Sequence, residues 1–201
     1  MSAVIPLFSN PVMVCSARYP LSSEERKFIN EAEYTDNIGN SMSKSDDILE
    51  AESLKNIKEF INKNIQSYTR KLLKLDESIE IYITQSWLNR ASSSQFHPMH
   101  CHPNSLISGV MFLSEGENHP PIRFHRTNSL FPLELNYSEL NDFNANCRWF
   151  DPVYGQLILF PSSLQHDVGK NEAEDERITL SFNTFLRGPV GNASALTAVS
   201  V

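Results

Sequence analysis

"RITLSFN", residues 177–183, alternates strictly: Arg177, Thr179, Ser181 and Asn183 fall on one face of an extended strand, and Ile178, Leu180 and Phe182 on the other. How that polar face is read decides the fold. A sandwich with a dry interior would bury the apolar side and leave the polar side in water. A strand bordering a cavity would turn the polar side inward, where Arg177 could grip a carboxylate through a two-pronged, charge-assisted bond. From the alternation alone, either arrangement is open.

The surrounding sequence has the same grammar. "IEIYITQSWLN", "LISGVMFL", "PPIRFH", "GQLILF" and "RITLSFNTF" are short runs rich in β-branched and aromatic residues, bounded by Pro, Gly, Asn or Ser. Upstream lies a helical signal: Leu54, Ile57, Ile61, Ile65, Tyr68 and Leu72 recur at spacings of three and four, predicting one apolar stripe on a helix of roughly five turns. A shorter helix is expected in "LSSEERKFINEAEY", a strand from Ile5 to Cys15, and a loop in "TDNIGNSMSKSDDI". Helices first and strands afterwards predict an α+β protein on an antiparallel sandwich or barrel. The expected division is one domain over 1–187, with helical support at about 22–75, a β core at about 79–187, and a tail at 188–201. Residues 126–150 read as an irregular insertion over the mouth of the barrel, a common place for substrate selection.

Composition narrows the partners. The net charge of −7 over 201 residues argues against a strong electrostatic grip on nucleic acid. No apolar run is long enough to span a bilayer, and the first twenty residues lack the basic start and cleavage site of a secretion signal. Three widely spaced cysteines without a C-x-x-C pair fit a reducing cytoplasm better than a disulfide framework or zinc knuckle. "NYS" and "NAS" are then chance sequons.

"FHPMHCHPN", residues 96–104, places three histidines within six positions. On a strand His100 and His102 share a face, while His97 has the wrong parity unless Pro98 bends the chain. Two imidazoles need a third ligand from elsewhere, and His166, after the apolar run Leu157–Phe160, is the best supplier.

Together "HCHPNSLISGVMFL", "GQLILFPSSLQHDV" and "RITLSFN" resemble the iron(II)- and 2-oxoglutarate-dependent oxygenases. The likeness is strongest to a small bacterial and phage branch that carries H-x-H-P-N-S, then S-G-V, and later L-F-P-S, a histidine and R-I-S-L-S-F-N. It runs from about "IPLFSNPVMV" through "SFNTF". The resemblance implies a double-stranded β-helix (a cupin-like jelly roll), iron held by H-x-D/E and a distal histidine, and a 2-oxoglutarate salt bridge from an arginine about ten residues further on. His166 and Arg177 match that pattern, and Thr179 stands where a Ser or Thr often assists the arginine. One departure matters: His102 occupies the acid's position, and no acid lies within ten residues of it. The implied metal set is therefore His100, His102 and His166, with His97, Asp167 or Glu115 as alternative members of the shell. Asn104 and Asn183 join Arg177 and Thr179 as expected cosubstrate contacts; Gln85, Trp87 and Asn89 share one strand face and are further candidates.

The activity implied is hydroxylation of an unidentified small-molecule, peptide or protein substrate, consuming O2 and releasing succinate and CO2. Two rivals remain: a cupin-like three-histidine dioxygenase that needs no 2-oxoglutarate, and a non-catalytic jelly-roll module. Arg123 and His125 are expected at the surface, and Glu115, Glu117 and His119 are expected to solvate a hairpin. An edge strand near the termini is compatible with a homodimer.

Overall fold

In the computed structural model, which describes residues 3–114, 116–128, 131–133 and 135–201, the strand that opens at Arg177 is covered on both faces. It is the centre of a seven-stranded antiparallel sheet. In chain order the strands are β1 (Met13–Val14), β2 (Tyr34–Asp36), β3 (Ser41–Ser43), β4 (Glu80–Ala91), β5 (His97–His100), β6 (Ile107–Phe112), β7 (Ile122–His125), β8 (Cys147–Phe150), β9 (Leu157–Pro161), β10 (His166–Val168) and β11 (Arg177–Arg187). The large sheet runs β1-β9-β6-β11-β4-β3-β2, and a second sheet runs β5-β10-β7-β8. The chain crosses between the two sheets at β4 to β5, β5 to β6, β6 to β7, β8 to β9, β9 to β10 and β10 to β11. That winding makes the double-stranded β-helix.

Two helices, α1 (Ser23–Glu31) and α2 (Lys55–Gln66), support the large sheet. The α1 start is fixed by a capping box, in which Ser22 and Glu25 each satisfy the other's backbone N–H. Along α2 the predicted stripe is real as far as Tyr68: Leu54, Ile57, Ile61, Ile65 and Tyr68 pack in one core with Leu88, Leu180 and Phe182. Burying each such side chain contributes about 1.5–3 kcal/mol. Beyond Gln66 the chain departs from the expected five-turn α-helix. Ser67–Leu72 is wound as π-helix, and the wider turn rotates Leu72 off the stripe, leaving it 49% exposed.

The alternation in β11 now has its physical cause. Leu180 and Phe182 face outward into the core beneath α2, whereas Arg177, Thr179 and Ser181 face inward and are equally buried. The space between the sheets is divided. Val110, Phe112, Ile122, Phe124, Ile158, Phe160 and Leu164 fill one side with an apolar cluster. The side bounded by β4, β5, β10 and β11 is polar.

Gly109 in β6 sits opposite Phe182 of β11. A Cβ there would lie 2.1 Å from the Phe182 ring and 2.9 Å from Leu159. Gly109→Ala is therefore expected to overpack a full core and cost about 1–3 kcal/mol, read as a lower urea midpoint.

Three expectations need correction. The strand from Ile5 to Cys15 shrinks to Met13–Val14, because Pro6 and Pro11 lack the N–H a ladder needs and Ile5, Leu7 and Phe8 stand exposed. The loop assigned to "TDNIGNSMSKSDDI" contains most of the β2–β3 hairpin, which pairs with β4. The insertion 126–150 ends in β8, which pairs with β7. The tail carries a small hairpin of Pro189–Val190 against Val199–Ser200. Among the described residues, no helix is long and apolar enough to cross a membrane.

Candidate metal centre and anion pocket

His100 closes β5 and is registered directly against His166 of β10. Their ring centroids are 4.3 Å apart. His102 lies two residues past the end of β5, so strand parity does not place it. It is held instead by its backbone N–H, which donates to the Ser162 carbonyl at 2.9 Å, and by the turn that follows. The result is convergence: His102 Nε2 and His166 Nε2 are 3.2 Å apart, and one ring nitrogen from each of His100, His102 and His166 lies within 4.8 Å of the others. Imidazoles bound side by side to one first-row ion through ~2.1 Å bonds have nitrogens about 3 Å apart.

The rings are oriented as well as gathered. His100 Nδ1 is 2.8 Å from the carbonyl of Pro98, and His166 Nδ1 is 2.8 Å from that of Leu164. Donation to those carbonyls leaves each Nε2 as a lone pair. The Asn183 side chain hydrogen-bonds His102. Burial pushes the imidazole of His166 down to about 3 and that of His102 down to about 4. Both are neutral near pH 7, the form that binds metal. His97 is pushed down to about 3, again chiefly by burial.

These depressed values set a pH dependence for the metal-free protein. Unfolded imidazoles take up protons near 6.5, whereas these folded ones resist until about 3–4. Stability from this cluster is thus complete above about 6.5 and is lost as pH falls toward 3–4. Urea midpoints of metal-free protein between pH 7.5 and 4 should fall with decreasing pH, and replacing His97, His102 and His166 by Gln should flatten that slope.

Arg177 forms the floor. It is 5% exposed, its Nε donates to the Pro120 carbonyl at 3.1 Å, and its guanidinium lies 5.5 Å from the Phe112 ring centroid. Its Nη2 is buried with no partner. Burial pushes the group down to about 10, so it remains charged at neutral pH. A buried cation with an unused donor is costly unless an anion completes it.

Exposure along the paired strands gives the cavity a direction. On β4, Gln85 is exposed, Trp87 half-buried, Asn89 and Ala91 buried; on β11, Asn183 is half-buried, while Ser181, Thr179 and Arg177 are buried. Exposure on this face therefore falls from Gln85 and Asn183 toward Arg177, so a ligand reaching the guanidinium would enter from the Gln85 and Asn183 end. Trp87 stacks near His102 with centroids 5.8 Å apart, partway down. Asn89 donates to the Ser181 hydroxyl at 3.0 Å, and its Oδ1 is buried without a partner.

The other expected residues fall variously. Thr179 is buried two positions from Arg177. Asn104 is exposed at a left-handed turn, φ 57°, a conformation that by itself accounts for asparagine there. Asp167 faces away from the imidazoles: Arg123 donates to both its oxygens at 2.7 and 2.8 Å, and His125 Nε2 lies 3.2 Å from it. Glu115 lies outside the described residues. Glu117 is exposed as expected, but His119 is not: it is 6% exposed, with Nε2 3.2 Å from Asp175, in the hairpin whose Pro120 holds Arg177.

Sequence reasoning gave no role to a serine chain. Ser105 Oγ and Ser108 Oγ each lie 2.8 Å from Ser162 Oγ, and Ser108 donates to Asn183 Oδ1 at 2.9 Å. These are the serines of P-N-S, S-G-V and F-P-S, and the asparagine of S-F-N. The motifs thus meet in one part-buried network ending on His102. Their signal was small polar residues inside otherwise apolar strand runs.

Residues 85–183, the stretch bearing all of these groups, match the family model described as "Putative 2OG-Fe(II) oxygenase". Over those residues the chain is a member of the 2OG-Fe(II) oxygenase family. Solved structures share the fold of this oxygenase at low identity. A 2OG-Fe(II) oxygenase family oxidoreductase from Burkholderia pseudomallei superposes with a TM-score of 0.62 at 14% identity, covering 86% of this chain and 83% of that one. A Pseudomonas putida prolyl-4-hydroxylase gives 0.59 at 16%, covering 90% and 95%. HygX from Streptomyces hygroscopicus, solved with nickel and 2-oxoglutarate bound, gives 0.62 at 10%, covering 87% and 82%. A search of curated proteins gives no match.

Proposed function

We propose that this oxygenase binds iron(II) through His100, His102 and His166, anchors the distal carboxylate of 2-oxoglutarate on Arg177 beside Thr179, and hydroxylates a substrate entering past Gln85 and Trp87. The observation that carries the reading is the unused Nη2 of a buried, charged Arg177 on the same face of β11 as Asn183, which hydrogen-bonds one of three converging imidazoles. Iron(II), when bound with 2-oxoglutarate, couples reduction of O2 to substrate hydroxylation, with succinate and CO2 as co-products.

The chain's own residues bind, aim and shelter. Backbone carbonyls of Pro98 and Leu164 hold two rings with Nε2 free, and Asn183 braces the third. The apolar cluster of Phe112, Phe124 and Phe160 keeps the far side of the interior dry, which strengthens the pull of Arg177 on an anion. Three neutral imidazoles subtract no charge from the metal, so the site favours an anionic cosubstrate more than one containing a carboxylate ligand would. Asn183, half-buried beside His102, and Asn104, exposed at its turn, are read as further contacts to the cosubstrate. The substrate is an organic molecule or peptide small enough at its reacting end to pass Trp87. Cys15, Cys101 and Cys147, all unbridged, support a cytoplasmic setting.

The test is stoichiometry. Protein loaded anaerobically with iron(II) and 2-oxoglutarate, then exposed to O2, should form about one succinate per O2 consumed even in slow turnover without substrate. Oxygen uptake with no succinate would overturn the reading in favour of a dioxygenase whose substrate itself meets the metal.

A further inference from the structure

Arg177 takes its aim from a hairpin. Its Nε donates to the Pro120 carbonyl at 3.1 Å. Pro120 lies between β6, which ends at Phe112, and β7, which begins at Ile122, so that carbonyl belongs to neither ladder. Side chains hold the turn instead. Ser114 Oγ accepts the N–H of Ile178 at 2.9 Å and lies 3.5 Å from His119 Nδ1. On the other edge of the ring, His119 Nε2 is 3.2 Å from Asp175 Oδ1, close but off the line of a well-formed hydrogen bond. One imidazole thus meets Asp175, two residues before Arg177, and Ser114, which holds the residue after it.

The ring is enclosed where its neighbours are not. Gly116, Glu117 and Asn118 of the same turn are exposed, whereas His119 is buried. The chain passes directly over it at Gly116, where a Cβ would fall 2.4 Å from His119 Cε1 and 2.4 Å from Asp175 Oδ2. Asp175 is itself tied down: the Asn171 amide donates to its carbonyl and to that of Ala91, at the end of β4, each at 2.9 Å. A guanidinium is a rigid fork, so the atom that Nε meets decides where the terminal nitrogens point. Pro120 follows His119 in the chain, and a displaced ring would carry the carbonyl, and with it the fork, out of line.

We propose that His119 is a positioning residue for the cosubstrate: seated against Asp175 and Ser114, it holds the Pro120 carbonyl on Arg177 and so aims the unpaired Nη2 at the distal carboxylate of 2-oxoglutarate. The inference rests on the cosubstrate site proposed above.

Two variants and two ligands test it. His119→Leu keeps the bulk of the ring and removes both nitrogens. Asp175→Ala removes the seat of the ring at a half-exposed side chain. The ligands are 2-oxoglutarate and 2-oxopentanoate, which carries the same 2-oxo acid end but no distal carboxylate. Binding is followed anaerobically in the iron(II)-loaded proteins by visible charge-transfer absorption, and iron content is measured alongside. His119→Leu should retain its iron, bind 2-oxoglutarate about tenfold more weakly, the scale on which orienting contacts matter in metal sites, and bind 2-oxopentanoate as the unaltered protein does. Asp175→Ala separates aim from charge. Removing a carboxylate two residues from Arg177 would by charge alone strengthen the hold on an anion, whereas unseating the ring weakens it. Weaker binding of 2-oxoglutarate alone by Asp175→Ala supports the proposal, and equal or stronger binding overturns it. Loss of iron from His119→Leu, equal weakening of both ligands, or unchanged 2-oxoglutarate binding overturns it as well. If His119→Leu does not fold, Asp175→Ala decides by itself. Failure of the unaltered protein to bind 2-oxoglutarate more tightly than 2-oxopentanoate would instead sink the underlying site.

Discussion

His166→Leu should abolish measurable iron(II) binding while leaving the fold intact. The substitution puts an apolar side chain of similar bulk beside Phe124 and Phe160, the aromatic neighbours of the ring. It removes the imidazole that lies 3.2 Å from His102 Nε2. Two histidines from one short segment then remain, with nothing from the opposite strand to close the site. Loss of residues that only orient a ligand typically costs 10–100-fold in metal affinity, so loss of a ligand should exceed about 100-fold. Anaerobic iron titration by equilibrium dialysis reads the affinity, and circular dichroism the fold. A folded variant that retains iron as tightly as the parent would remove the three-imidazole centre.

Arg177→Met should weaken cosubstrate binding and strengthen the bare fold. The requirement for 2-oxoglutarate rises, because truncating one member of a buried charge pair costs about 2–5 kcal/mol, or roughly 30-fold to several thousand-fold in affinity. The metal-free, cosubstrate-free protein becomes more stable, by on the order of 1 kcal/mol, because an unpaired buried donor is replaced by an apolar side chain of similar length. Titration of the iron-loaded variant and urea denaturation of the bare protein measure the two. Weakened binding with equal or lower stability would mean that the arginine serves the fold as well as the ligand. Unchanged binding would place the anion elsewhere.

Where the sequence carried a strong period, the structure follows it. The stripe from Leu54 to Tyr68 was legible because each member meets one continuous core; Leu72 was not, because a π turn leaves no mark in hydrophobic spacing. The β2–β3 hairpin hid behind Asn, Gly and Ser, since those residues become strand only by pairing with the edge of β4. β8 hid because Cys147 and Trp149 remain partly or largely exposed. Of the candidate site, the convergence of His166 with the H-C-H segment was readable from residue type and separation along the chain. The position of His102 was anticipated for the wrong reason: it is set by Ser162, not by strand parity. The serine network was invisible, because isolated serines form no pattern until the chain brings them together.

The carbonyls of Pro98 and Leu164 have a consequence for tolerance to mutation. Two of the converging imidazoles take their aim from main chain two residues upstream, so no side-chain replacement elsewhere can cut those tethers. His102 lacks such insurance and relies on Asn183. Drift in this centre, whether by chance or by laboratory evolution, therefore has one soft corner through which geometry can change while the other two stay fixed.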